Sequence, residues 1–238
     1  MNLEKHIDAA ASLYKGTYKE LDNWERAKQQ EAKALKERSY RLTNEAANEE
    51  HTAFVKKYND MRDNIVNAHK MELEKIEQAY LQEVEDFYQP DGTVIDKGDQ
   101  GLLYSGILKP EEIAKMVVKH KDNTTMLRII SQSMKDDGID IENMPTAIKR
   151  ALYYAEKAGE KERLIFSKFN QLMANPIRMA AQGLAGTDMF LDTIVEQPDE
   201  YVKMAKNDLL KAKIFITEDD QAAIDEYEAK SKNFQVLK

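Results

Sequence analysis

Four histidines, His6, His51, His69 and His120, are the only imidazoles in the chain. Imidazole is the commonest metal ligand and a ready general base near neutral pH. A two-metal helical bundle needs Glu-x-x-His from each of two helices. Here Leu3, Asn48, Val66 and Val117 stand three residues before the four histidines, so that order is missing. Glu72 follows His69 by three and shares its helix face, but one such pair makes no metal centre. There is no Cys, which removes thiol catalysis, Cys-ligated zinc, iron–sulfur clusters and disulfide scaffolds. Gly-x-Ser-x-Gly is absent, and Ser105, in Tyr104-Ser105-Gly106, has no His nearby in sequence. Gly98-Asp99-Gln100-Gly101 lacks both a third glycine and a Lys-Ser/Thr, so it is neither a dinucleotide fingerprint nor a P-loop. Asp91, Asp96 and Asp99 suggest a calcium loop, but Thr93 and Ile95 fall where ligands are required. No catalytic residue, cofactor or metal is therefore expected.

Residues 110–137 raise a different chemistry. Two short helical stretches flank Lys121–Asn123, as in a helix-turn-helix, and Lys115, Lys119, His120, Lys121, Arg128 and Lys135 add local positive charge. Thr125, Arg128, Gln132 and Lys135 would form the reading face. Met126, Leu127, Ile129 and Ile130 leave that helix little exposed surface. The chain is also acidic, with 43 Asp and Glu against 35 Lys and Arg and a net charge of −8. Nucleic acid is thus the second reading, behind a structural helical pair.

The elements that must carry any site are helices. Between Gly16 and Pro90 there is neither Gly nor Pro, and Glu, Lys, Ala, Leu, Gln and Arg dominate, all good helix formers. Alternate steps of four and three from Leu3 give Leu3, Ile7, Ala10, Tyr14, Thr17, Leu21, Trp24, Lys28, Glu31, Leu35, Arg38 and Leu42. This is a 3.5-residue apolar seam with a polar break at Lys28 and Glu31. The phase slips through Thr43–Thr52 and resumes at Phe54, Tyr58, Met61 and Ile65, then again at Leu73, Ile76, Tyr80, Val84 and Phe87. Such slips fit one long bent helix of roughly 100 Å or a hairpin turning near Thr43–Glu50. Either way Leu3, Ile7, Tyr14, Leu21, Trp24, Leu35 and Leu42 need a cover. It comes from another copy, another protein, or the C-terminal half of the chain.

Three regions are expected in an all-α fold. Residues 1–88 form the long helix or hairpin, with coiled-coil character. Residues 89–109 form a Gly-rich linker with room for a small hairpin of Thr93–Ile95 and Leu102–Tyr104. Residues 110–238 form a compact bundle of short helices, with breaks before Pro176 and Pro198. Removing 1–88 is expected to leave a folded, monomeric remainder. Methionine gathers in the last region, where it fills adaptable interfaces. The segment around Met179, Gly183, Leu184 and Met189 is the most interface-like.

Leu108-Lys-Pro-Glu-Glu-Ile-Ala-Lys115 and Lys121-Asp-Asn-Thr-Thr-Met-Leu-Arg-Ile-Ile130 resemble segments of uncharacterised phage and prophage proteins of Gram-positive bacteria. Those proteins also place a charged helical N-terminus before a Gly-rich link. The likeness covers about 25 residues and includes no catalytic motif. It implies a virion, head-assembly or accessory role.

The leading expectation is a non-enzymatic structural, assembly or interaction protein. It would self-associate through the seam while the C-terminal bundle meets another protein. Nucleic-acid regulation through 110–137 and a helical-bundle enzyme with an unrecognised site are the alternatives. No run of eighteen apolar residues is present, so no membrane contact is expected. The first residues lack the apolar core of a secretory signal, which points to the cytoplasm, or to a virion if the protein is phage-encoded.

Overall fold

In the computed structural model the chain is all-α. Residues 2–179 and 188–212 are described, followed by 216, 217, 220, 222, 224–227 and 229; side chains of 176, 179 and 188–198 are not. The helices are α1 (Glu4–Ser39), α2 (Asn44–Tyr88), α3 (Lys97–Tyr104), α4 (Pro110–Lys119), α5 (Thr124–Asp136), α6 (Thr146–Glu156), α7 (Glu160–Met179) and α8 (Asp188–Ala212). The chain divides into two compact units, 1–83 with 164–209, and 84–163 with 210–238. These boundaries correct the expected three regions. Residues 164–209 belong with the N-terminal helices, and no bundle is confined to 110–238.

The first unit is built on a helical hairpin, the second of the two alternatives. The turn lies at Tyr40–Thr43. His6 Nε2 meets Glu83 Oε2 at 3.0 Å, Thr17 Oγ1 meets His69 Nδ1 at 2.9 Å, and Trp24 Nε1 donates to Tyr58 O at 2.9 Å. Rising numbers in α1 meet falling numbers in α2, so the helices run antiparallel. α7 and α8 then cover the hairpin. Tyr14 Oη donates to Asn170 O at 3.3 Å and Tyr18 Oη to Met173 O. Lys15 pairs with Asp199 at 2.7 Å and Lys206 with Asp8 at 2.7 Å.

Leu3, Ile7, Ala10, Tyr14, Thr17, Leu21 and Trp24 are all buried within this unit. Full burial of one such aliphatic side chain stabilises by about 1.5–3 kcal/mol. The seam is thus core of its own chain, and Leu3, Ile7, Tyr14, Leu21, Trp24 and Leu35 do not form the expected self-association surface. Only Leu42, at the turn and 36% exposed, stays open. The expected folded remainder after loss of 1–88 also falls. Phe166, Phe169, Met173, Ala205 and Leu209 are buried in the unit that those residues build.

The second unit packs α3 to α6 around Leu103, Ile113, Val117, Leu127, Ile130, Ile148 and Leu152, with Ile216 and Ile224 added from the end of the chain. Its helix starts follow local chemistry. Asp96 Oδ1 accepts from Gly98 N and Asp99 N at the head of α3. Pro110 occupies the first turn of α4, where its missing N–H costs nothing, and Glu112 Oε2 accepts from Lys109 N at 2.9 Å. Asn123 Oδ1 caps α5 through Met126 N at 3.1 Å.

The proposed hairpin in 89–109 is not formed. Gly92–Val94 is a single 3-10 turn, and Leu102–Tyr104 lies in α3. Asp91 and Asp96, two local caps, outweigh the β-branched run between them. α7 and α8 run through Pro176 and Pro198 without the expected breaks. A proline inside a helix forfeits one backbone hydrogen bond, and packing along the rest of each helix outweighs that loss.

Candidate functional site

Among the described side chains, the cover supplied by α7 and α8 stops part-way along the hairpin. Their contacts with α1 named above run from Asp8 to Tyr18. Beyond them the hairpin is held by α1–α2 contacts: Lys57 Nζ to Glu31 Oε2 at 2.6 Å and Tyr58 Oη to the same oxygen at 2.7 Å. Those bonds draw the Glu31 carboxyl below its usual value and, with burial as the larger cause, raise the Tyr58 phenol to about 12. From Arg26 to Lys57 only Leu35 is buried. Residues 26–57 are therefore a two-helix arm. It exposes Tyr40 at 79% and Val55 at 40%, and carries a shallow concavity of about 450 Å³ between His51 and Asp60 on α2.

The expected reading helix is a core element. Met126, Leu127, Ile130, Ser131, Ser133 and Met134 of α5 are buried. Arg128 donates inward, from Nε to Ala155 O and from Nη1 to Tyr88 O, both at 2.8 Å. Lys135 pairs with Glu156 at 2.5 Å, and Lys119 Nζ bridges Asp96 and Asp99 at 3.0 and 2.7 Å. Of the basic groups that suggested DNA contact, Lys119 and Lys135 thus pair with acids of the same unit and Arg128 with its backbone carbonyls.

Asp96, Asp99 and His120 place ligand-type atoms within 4.8 Å of one another. His120 Nε2 lies 2.6 Å from Asp99 Oδ2, and Lys119 already supplies the positive charge. The Asp99 amide, with Lys119, holds the Asp96 carboxyl below its usual value, and Lys119 with His120 does the same for Asp99. A divalent ion would have to displace the ammonium group, so the arrangement is a clamp between α3 and α4. A second concavity, of about 350 Å³, is lined by Phe87, Tyr88, Asp91, Val94 and Asp122–Thr125. Two of its polar groups are engaged locally: Thr125 Oγ1 accepts from Asp91 N, and Asn123 Nδ2 donates to Val94 O.

His69 sits in the first unit's core. Thr17 Oγ1 donates to Leu13 O at 2.9 Å, so it accepts from the His69 Nδ1–H. The Tyr14 ring lies 4.8 Å from the imidazole, and burial depresses the His69 pKa below its ordinary 6.5. The unfolded chain therefore takes up a proton at a higher pH than the folded one, and stability falls as pH drops below about 6.5. Urea midpoints at pH 7.5 and 5.5 check this: the wild-type midpoint falls more than that of His69→Gln. Equal falls would remove His69 as the cause. Glu83 acts in a lower window. Lys5, the Asn2 amide and His6 hold it down to about 2, so its contribution is lost between its usual value of about 4.5 and that point.

Met179 and Met189 lie in α7 and α8, whereas Gly183 and Leu184 lie outside the described residues. The buried Tyr88–Glu162 bond of 2.6 Å and the inward role of Arg128 were not foreseen; neither has a periodic signal. The fold defines an all-helical protein whose first unit is built on a long antiparallel helix pair. No family model matches the chain, nor does any curated protein or solved structure. Among the described residues no helix is long and apolar enough to cross a membrane.

Proposed function

We propose that this chain is a non-enzymatic interaction or assembly protein whose contact element is the two-helix arm, residues 26–57. The observation that carries the reading is the mismatch between the hairpin and its cover: α7 and α8 shelter the base, while the arm offers two charged helical faces with Leu35 as its one buried residue. A short hairpin alone is marginally stable, and packing a partner helix along it would add the missing burial. The phage resemblance at 108–130 agrees with an assembly or accessory role.

The reading is tested by placing a photo-crosslinking amino acid at Tyr40 or Val55 of the full chain in its host cell, with Gln132 on α5 as control. Arm positions are expected to yield a discrete crosslinked species and the control none. Absence of crosslinks from both arm positions would overturn the proposal.

A further inference from the structure

The cavity of about 350 Å³ in the second unit has a one-sided chemistry. Its charged lining groups are the carboxylates of Asp91 and Asp122, and among the described residues no Lys or Arg lines it. From Val84 to Asp96 the chain carries Glu85, Asp86, Asp91 and Asp96 and no base. The bases nearest in sequence are engaged elsewhere or stand outside the lining. Lys119 bridges Asp96 and Asp99, Arg128 donates to Ala155 O and Tyr88 O, and Lys97 and Lys121 are exposed. Asp91 receives the Thr93 amide and hydroxyl, both on Oδ1. Those bonds hold its carboxyl below the usual value, so it is ionised at neutral pH. Asp122 is exposed and has no hydrogen bond or ion pair among the described residues.

Phe87 and Tyr88 line the same cavity, edge to face with centroids 5.0 Å apart. Phe87 is 51% exposed and Val94 46%, so apolar surface stands open beside the two acids. Aromatic rings attract cations through their quadrupole. An ammonium group brings three N–H donors, which carboxylates accept. We propose that this cavity binds a small organic cation, a primary ammonium carrying an apolar group. The ammonium is held by Asp91 and Asp122, and the apolar group rests on Phe87 and Val94. The volume falls in the range of small-molecule sites. An anion at the N-terminus of α5 is the rival occupant. It would face both carboxylates, and the amides of Met126 and Leu127 are already taken by Asn123. The site lies wholly in the second unit, apart from the arm.

Saturation-transfer NMR of the full chain with phenethylammonium at pH 7 and 150 mM NaCl tests this. Transfer is expected, with a dissociation constant of about 1 mM or below, the scale for so small a ligand. Phenethyl alcohol and phenylacetate, which lack the positive charge, should bind at least about tenfold more weakly. Asp91→Asn with Asp122→Asn should weaken phenethylammonium about tenfold, since Asn keeps the cap at 91 and removes the charge. Phe87→Leu should weaken it about threefold, by loss of the ring. Glu142→Gln, at an exposed acid outside the cavity, should leave it unchanged. Should circular dichroism show the double variant unfolded, Asp122→Asn alone and Phe87→Leu, both at exposed positions, decide the matter. No transfer from phenethylammonium, equal binding of the alcohol, tighter binding of the anion, or affinity indifferent to the Asp and Phe87 substitutions would overturn the proposal. The arm crosslinks are read separately and stand or fall without it.

Discussion

Phe166→Ala is expected to lower the unfolding free energy by about 3–5 kcal/mol, the usual range for emptying a buried aromatic site. Phe166 is 1% exposed. Its ring stacks on Tyr80 with centroids 4.4 Å apart, and Phe169 lies at 6.5 Å. Tyr80 is itself fully buried on α2, so the cavity cannot collapse by moving an exposed side chain inward. The control is Leu164→Ala, two residues earlier and 54% exposed, which should change stability by about 0.5 kcal/mol or less. Urea unfolding of both variants checks the pair. A loss below 1 kcal/mol for Phe166→Ala would mean that α7 does not seal the hairpin where the structure puts it.

Gly159→Ala should be nearly as damaging, through a different mechanism. Gly159 joins α6 to α7 with φ at +91°, and an added Cβ would sit 2.8 Å from Val84 Cγ1 and 3.4 Å from Tyr88 Cδ2. Backbone strain in this region costs about 1–3 kcal/mol, and overpacking against two buried side chains of α2 adds about 1–3 kcal/mol. Gly16→Ala gives the contrast. Gly16 lies inside α1 with nothing within 4 Å of its would-be Cβ, so alanine there should stabilise by about 0.5–1 kcal/mol. Thermal unfolding of the two variants should therefore move in opposite directions. A neutral Gly159→Ala would show that the turn relaxes freely.

The sequence made the inner face of α1 legible almost residue by residue. Every position from Leu3 to Trp24 on the 3.5-residue ladder is buried, including Thr17, and the polar break at Lys28 and Glu31 falls just beyond the reach of α7 and α8. Heptad spacing reports which face is covered and is silent on what covers it. The cover here, Phe166 to Leu209, lies more than a hundred residues away, and no local pattern encodes so distant a pairing. Prolines misled for a related reason. Pro176 and Pro198 are local stop signals overridden by packing elsewhere on each helix, as at Phe166, Met173, Ala205 and Leu209. Asp96 misled in reverse: with Asp99 it gave a readable helix start, hidden behind two glycines and a β-branched run. The arm was legible as charge and phase slip, but its outline depends on where the distant cover ends.

The first unit joins residues 1–83 to the later segment 164–209, which sets a timetable during synthesis. The hairpin leaves the ribosome first, yet Leu164, where its lid begins, follows Glu83 by roughly 80 residues. At elongation rates of about 5–20 residues per second, the greasy face of α1 waits on the order of ten seconds for shelter. Residues 84–163, by contrast, bring α3 to α6 of the second unit out in one stretch, with Ile216 and Ile224 to follow. The nascent chain thus exposes its stickiest surface earliest, and a holdase chaperone meeting it would engage the first helix before any other.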